Sequence, residues 1–264
     1  MGLIQLFRLL STFFRIGLLN EAAYRANFFM QILQALINLG TALILFQTIF
    51  SYTSTLNGWH ATELLVLVGI YFLMGGMMNC VLQPSMNRFM GDVRDGTLDY
   101  TLLKPADAQI LVSVREVEIW RLVDVAVGFV VIAVALFEGG IKLNIWGLVS
   151  FLVALVAGGM IIYSFILILS TLVFWYNKIE NILVIFQSMY EAGRWPVTIY
   201  PGWLRLMLTF IVPIAFAITV PAQALTGRLV WPLLLGAVAL AVALVAGSRL
   251  FWRFGIRHYT GASA

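Results

Sequence analysis

Charge is scarce in this chain. Asp, Glu, Lys and Arg make up 11% of its 264 residues, against about 25% in soluble domains. That deficit excludes an ordinary water-soluble globule. The single cysteine, Cys80, excludes an internal disulfide and any metal site built from several cysteines. In an apolar run it reads as a small packed side chain. The two histidines, His60 and His258, fall at opposite ends of the topology derived below, so no shared metal site is expected. No G-x-x-x-x-G-K-[ST] phosphate loop occurs, so the chain does not cradle a triphosphate in that way. No nucleophile–base arrangement stands out, and the chain is not expected to be an enzyme. The net charge of +4 does not argue for nucleic acid, because the basic residues track topology. Arg8 and Arg15 interrupt the first apolar stretch, so no cleaved signal is expected. No appended soluble domain is expected at either end.

What is present is hydrocarbon, 62% of residues, laid out in long runs. The reading is an all-α membrane protein with one transmembrane domain over 1–264. Within 1–26, Leu3, Leu6, Phe7, Leu10, Phe13 and Phe14 recur at helical spacing and share a face. Such a helix lies in the membrane interface. It serves as an anchor, as a contact for a cytoplasmic partner, or as both. Spans are expected at 27–50, 62–82, 119–137, 145–174, from 182 onward, and at 232–251. The fourth is longer than a straight crossing needs, so a tilt or a break at Gly158-Gly159 is expected.

One stretch breaks the apolar pattern. Residues 83–118 hold Arg88, Asp92, Arg94, Asp95, Asp99, Lys104, Asp107, Arg115, Glu116 and Glu118. Each ion at membrane depth costs about 2.5–3.5 kcal/mol on the lenient insertion scale, so this loop sits in water. Mixed charges around Leu98, Leu102 and Leu103 suit a docking surface, with the leucines as apolar anchors. Gly96 permits a bend and Pro105 stops a helix. The plainer alternative is a solvated loop with one helical turn.

Charge counting sets the orientation. With residues 1–26 and the 83–118 loop inside, twelve of the sixteen Lys and Arg fall inside. Only Lys142, Arg194, Arg205 and Arg228 fall outside. Both ends are then cytoplasmic and the number of crossings is even. The run around Pro213 cannot cross, and 197–228 is expected to be an outer re-entrant hairpin, buried in protein or lining a cavity.

Gln31, Gln34, Asn38 and Thr41 share one face of the first span, and Asn79 lies in the second. They either hydrogen-bond between helices or line a translocation path. Glu191 and Arg194, at i and i+3, are either a mutually neutralised pair or a gate and solute contact. Arg121 and Asp124 form a similar pair. Ala239, Ala243 and Gly247 repeat every four residues, which suits close helix packing within one subunit.

Arg94-Asp95-Gly96-Thr97-Leu98-Asp99-Tyr100-Thr101-Leu102-Leu103-Lys104-Pro105 resembles the R-x-G-T-L-[DE]-x-x-L-L-x-P stretch of type-2 ATP-binding-cassette exporter permeases. Tyr200-Pro201-Gly202-Trp203-Leu204-Arg205, Pro213, Pro221 and Leu225-Thr226-Gly227-Arg228 are similar to that family's region before the last span. Asp92 and Arg94 stand where many relatives have a Glu-Arg pair, and Val212-Pro213-Ile214-Ala215-Phe216 replaces an Asn-Pro-Leu-Thr-Tyr wording. The resemblance implies a permease half that pairs with a second half, identical or paralogous. It implies a cytoplasmic coupling helix between spans two and three. There Asp92, Arg94, Asp95, Gly96, Leu98, Asp99, Leu102 and Leu103 would engage one of two ATPase subunits. ATP and Mg would sit on those partners, with no cofactor held by this chain. Pro201, Trp203, Leu204, Pro213 and Pro221 would form an outer gate. Gln31, Gln34, Asn38, Asn79, Glu191 and Arg194 would line the path. The implied activity is outward movement of a hydrophobic or amphipathic solute, drug-like or lipid-like. The expected setting is the bacterial inner (plasma) membrane, in contact with its lipids. The other reading is an ATP-independent secondary transporter or channel, which needs ion-coupling charges buried mid-span.

Overall fold

A computed structural model describes residues 12, 25–141, 144–176, 179 and 181–259. The amphipathic segment expected within 1–26 lies almost wholly outside the described residues. The described chain is a helical bundle. Helix α1, Arg25–Tyr52, leads to a two-stranded hairpin, β1 Thr55–Leu56 and β2 Trp59–His60. Asn57 and Gly58, both at positive φ, make its turn, the Asn-Gly signature of a tight hairpin. The bundle's turn end is named here for this feature.

The second span is a rod of 34 residues, Ala61–Arg94, about 50 Å long at 1.5 Å per residue. It comprises α2 (Ala61–Met77), a π-helical turn (Met78–Leu82) and α3 (Gln83–Arg94). A hydrocarbon core of about 30 Å cannot contain it, so its polar end projects. The opening of the charged stretch is therefore helix and not loop. Pro84 explains both the π turn and the continuity. It lacks an N–H for the Cys80 carbonyl, and that carbonyl instead accepts the Glu118 N–H at 2.8 Å.

The charged stretch then forms two short helices, α4 (Asp99–Leu102) and α5 (Ala108–Ser113). They sit at the opposite, loop end. A 3₁₀ turn, Ile119–Arg121, opens α6, Leu122–Glu138. Helix α7, Ile145–Thr171, continues in 3₁₀ form to Phe174. It does not break at Gly158-Gly159. Gly158 instead packs against a neighbour: a Cβ there would lie 2.9 Å from the Ala217 backbone.

Helix α8, Ile182–Tyr190, has nine residues, extended by the 3₁₀ segment Glu191–Arg194. At about 20 Å by helical rise, this fifth element is short of a full crossing, ended by Gly193 and Pro196. Helix α9 (Gly202–Leu206) passes through a π turn to Ile211, and α10 is Ile214–Leu225. The two arms bend by 93° at Pro213. Helix α11 is Trp231–Ile256. Among the described residues five helices are long and apolar enough to cross a membrane, or six if the bent pair counts as one span. Short as it is, the α8 segment also joins the two ends of the bundle, with Gln187 bonded to Gln83 toward the loop end and Thr198 to Asn57 at the turn end.

The core lies along α2, whose most apolar window is 78% buried. It meets α6 backbone to backbone. A Cβ on Gly128 would approach the Leu73 nitrogen at 2.6 Å and the Gly69 carbonyl at 2.7 Å. Helix α10 packs on α7 and runs toward the turn end, since Ala217 faces Gly158 while the Ala224 carbonyl approaches Gly147. On α11, Leu234, Ala237, Ala241, Ser248 and Trp252 are buried, whereas Ala239, Ala243 and Gly247 face outward. The small-residue stripe is therefore not packed among the described residues. The inward face runs instead through Ala237, Ala241 and Ser248, and the two alanines pack against Ala154, Ala157 and Ile161 of α7.

Candidate partner-docking surface

The segment after α3 is held rigid from below. Asp92 is only 3% exposed. Its carboxylate takes Arg115 in a close ion pair, Arg88 at 3.3 Å and the Thr97 hydroxyl at 3.1 Å. Its backbone carbonyl accepts the N–H groups of Thr97 and Leu98. Arg115 also reaches the Thr101 hydroxyl at 3.3 Å. Gly96, at φ 70°, makes the reversal that lets α4 fold back on α3. Asp92 is thus an internal staple, not a docking contact. Leu98, fully buried, is core and not an anchor. Burial separates them from neighbours of the same chemistry, which spacing alone could not do.

What faces solvent is Arg94, Asp95, Tyr100, Leu103, Lys104 and Pro105, with Asp99 and Leu102 partly covered. Tyr100 is 73% and Leu103 82% exposed. Two large side chains thus stand exposed on a charged, well-tied turn. Tyr100 was missed in the sequence, although its place between two leucine-bearing turns was visible there.

The next turn is clasped to the spans. Asp107 caps α5 by accepting the Gln109 and Ile110 N–H groups at 3.0 and 3.4 Å. Arg249 of α11 grips both Asp107 carboxylate oxygens and reaches the Gln109 side-chain oxygen at 2.6 Å. Gln109 in turn donates to the Tyr163 hydroxyl of α7 at 3.0 Å, and Ser113 shares that hydroxyl at 3.0 Å. The Arg249 hydrogen bond is the main cause that holds the Asp107 carboxyl below the ordinary carboxylate value, against the opposing effect of burial. Arg249 had entered only the topology count. A partner across 142 residues is not legible from spacing.

The candidate path residues do not form one cluster. Gln34 and Asn38 are exposed on α1, Gln31 is half-buried, and Asn79 sits in the π turn. Thr41 bonds its own helix, at the Ile37 carbonyl. Among the described residues no ion pair joins Glu191 to Arg194. The Arg194 guanidinium instead lies 5.0 Å over the Tyr71 ring, and the Tyr190 hydroxyl donates to the Tyr71 carbonyl. The i+3 spacing does not decide the pairing, because the Arg194 guanidinium is directed to the Tyr71 ring instead. Arg121 likewise pairs with Glu118 at 3.3 Å and not with Asp124.

Of the candidate gate residues, Pro201, Trp203 and Leu204 lie toward the turn end, close to Thr198, whereas Pro213, at the start of α10, lies about halfway along α7. Pro201 and Pro213 precede α9 and α10, Pro221 is buried inside α10, Leu204 is half-buried and Trp203 is 69% exposed. The bent pair is tied down at both ends at the turn end. Asn57 donates to the Thr198 carbonyl at 2.6 Å, and Arg228 pairs with Glu63 at 2.6 Å while lying over Trp59. Trp146 and Trp231, like Trp203, are exposed at helix starts, and tryptophan is enriched at membrane interfaces. Among the described residues no His, Cys, Asp and Glu converge as a metal site.

An integral membrane bundle of this build, with a charged and braced turn at one end, defines a polytopic permease. The ABC-2 family transporter protein family matches residues 36–263, and the chain belongs to it. It is a membrane permease of an ABC transporter, a class that works with ATPase components. No curated protein and no solved structure matches the chain.

Proposed function

We propose that the chain is the permease half of a type-2 exporter, moving a hydrophobic or amphipathic solute outward at the interface of two halves. The observation that carries this reading is the exposed Tyr100–Leu103 pair on a turn braced by the buried Asp92. A partner ATPase subunit takes that turn as a coupling helix, one ATPase per half, with ATP and Mg on the ATPase. The motion passes through Asp107, Gln109 and Arg249 into α7 and α11. The loop end is cytoplasmic, as are the residues before α1 and after α11. The bent α9–α10 pair enters from the outer face and returns, closing the far end of the path. Supporting this, both of its ends are tied to the turn-end hairpin and to Glu63, while the start of α10 reaches Gly158 halfway along α7.

The secondary-transporter reading needs coupling carboxylates within the spans. The ion pairs of Glu63, Asp92, Asp107 and Glu118 lie instead at helix ends. The test is co-purification. The wild-type chain is expected to recover an ATPase subunit carrying a phosphate loop, and the double change Tyr100→Asp with Leu103→Asp to lose it while the permease stays folded. Transport by the purified chain with no ATPase present would overturn the reading.

A further inference from the structure

A cavity of about 820 Å³ lies on the flank of the bundle, between the π turn, the 114–122 segment and the middle of α7. That is the size of a full ligand pocket, and nothing in the proposed transport cycle uses it. Its walls are aliphatic or thioether, with Met74, Met77, Met78 and Met160 prominent. Methionine is flexible and polarizable, and it conforms to occupants of varied shape. The Tyr163 hydroxyl on the wall is already engaged by Gln109 and Ser113, so no polar group is left there to recognise a head. Along the rod the cavity runs from Met74 to Leu82. Eight residues rise about 12 Å, close to the roughly 15 Å that one leaflet contributes to a 30 Å hydrocarbon core. Its loop-end rim runs through Val117 and Leu122. Between them the chain carries Glu118 and Arg121, an ion pair whose side chains are 42% and 31% exposed. A rim with one accessible group of each sign complements a zwitterionic head, with phosphate toward Arg121 and ammonium toward Glu118.

We infer that this cavity holds an acyl chain of a zwitterionic phospholipid, phosphatidylethanolamine in type, drawn from the leaflet at the loop end. The occupant is a structural lipid that fills the flank of α2 and α7. The site stands whether or not the proposed export activity does.

Gly159 provides the test. It lines the cavity, and a Cβ added there meets nothing within 4 Å, so a larger side chain has a free start into the void. The full chain is reconstituted in vesicles of phosphatidylethanolamine and phosphatidylglycerol. The probe is phosphatidylethanolamine with a photoactivatable diazirine in mid-chain, and cross-linked peptides are mapped by mass spectrometry. Peptides bearing Met77 and Met160 are expected to label several-fold above those bearing the lipid-facing Leu235 and Val242. The excess is expected to vanish in Gly159→Phe and persist in Gly159→Ala, with all three proteins unfolding at the same temperature. A phosphatidylglycerol probe is expected to label several-fold less. Cavity peptides labelled only to the α11 level in the wild-type chain overturn the site, as they would be if a second copy or another segment of the chain filled it. So does an excess that survives Gly159→Phe. Equal labelling by the two head groups overturns the assignment of the rim pair.

Discussion

Asp92 shows what a residue number alone conceals. In the sequence it is one of four aspartates spaced along a charged stretch. In the fold it is the hub that closes α4 onto α3, almost fully buried between Arg88 and Arg115. Removing it costs toward the lower end of the about 3–5 kcal/mol of a broken buried pair, because Arg88 and Arg115 are 52% and 30% exposed and water can still reach them. Asp92→Asn is therefore expected to lower the thermal unfolding temperature in detergent by roughly 10 °C. Leu103→Asp, on a side chain 82% exposed, is expected to leave it unchanged. The reverse ranking would show that the turn is not braced from within. Asp107 makes a pH-dependent contribution of the same kind. Arg249, before any other cause, holds its carboxyl below the ordinary value. The folded state therefore binds that proton less readily than the unfolded state. The contribution is present above the unfolded carboxylate value of about 3.9 and is lost as pH falls through the lower folded value. Between pH 5 and pH 8 it is expected to be flat. Unfolding profiles from pH 7 to pH 3, wild type minus Arg249→Gln, isolate it. A difference that grows on acidification would contradict the sign.

At the scale of elements, glycine decides which helices touch. The α2–α6 contact leaves no room for a Cβ on Gly128, and the neighbouring atoms are backbone, which cannot step aside. Gly128→Val is expected to destabilise by at least the 1–3 kcal/mol typical of overpacking. Gly247→Val, on a face with nothing within 4 Å, is expected to stay within about 0.5 kcal/mol. Equal losses in chemical denaturation would mean that the outward face of α11 is packed after all. The first, third and last long helices were legible to within a few residues, because an unbroken apolar run of about 20 residues has one physical outcome in a bilayer. The second was cut short at Leu82, since the charge density from Gln83 onward reads as a loop in water. The Glu118 N–H that takes over the orphaned Cys80 carbonyl lies 38 residues from it in sequence and leaves no local trace. The break expected at Gly158-Gly159 inverted the cause: the glycine is there to admit α10, not to bend α7. The charged stretch was legible as a stretch, but its outward face was not. Leu98 and Leu103 are alike in composition and opposite in burial.

For the whole molecule the governing quantity is where water ends. The exposed Trp146, Trp203 and Trp231 mark one boundary, and the projecting end of the long rod with its ion cluster marks the other. Twelve of sixteen basic residues then argue that the rod projects into the cytoplasm. The chain suits a direct test because its lone cysteine is 3% exposed and should stay silent to a membrane-impermeant thiol reagent. Lys104→Cys places a thiol on the exposed docking turn, and Ser54→Cys places one before the turn-end hairpin, both at solvent-facing positions. In intact cells Ser54→Cys is expected to label and Lys104→Cys to be protected, with the pattern exchanged in inverted vesicles. Labelling of Lys104→Cys from outside would turn the bundle over and put the docking turn beyond reach of any cytoplasmic ATPase. The Arg249 clasp and the Asp92 staple would then be features of stability alone. Protection there, with ATPase recovery lost on changing Tyr100 and Leu103, would join orientation to function. A solvent boundary that shelters the turn from the reagent would be the one that gives a soluble motor access to it.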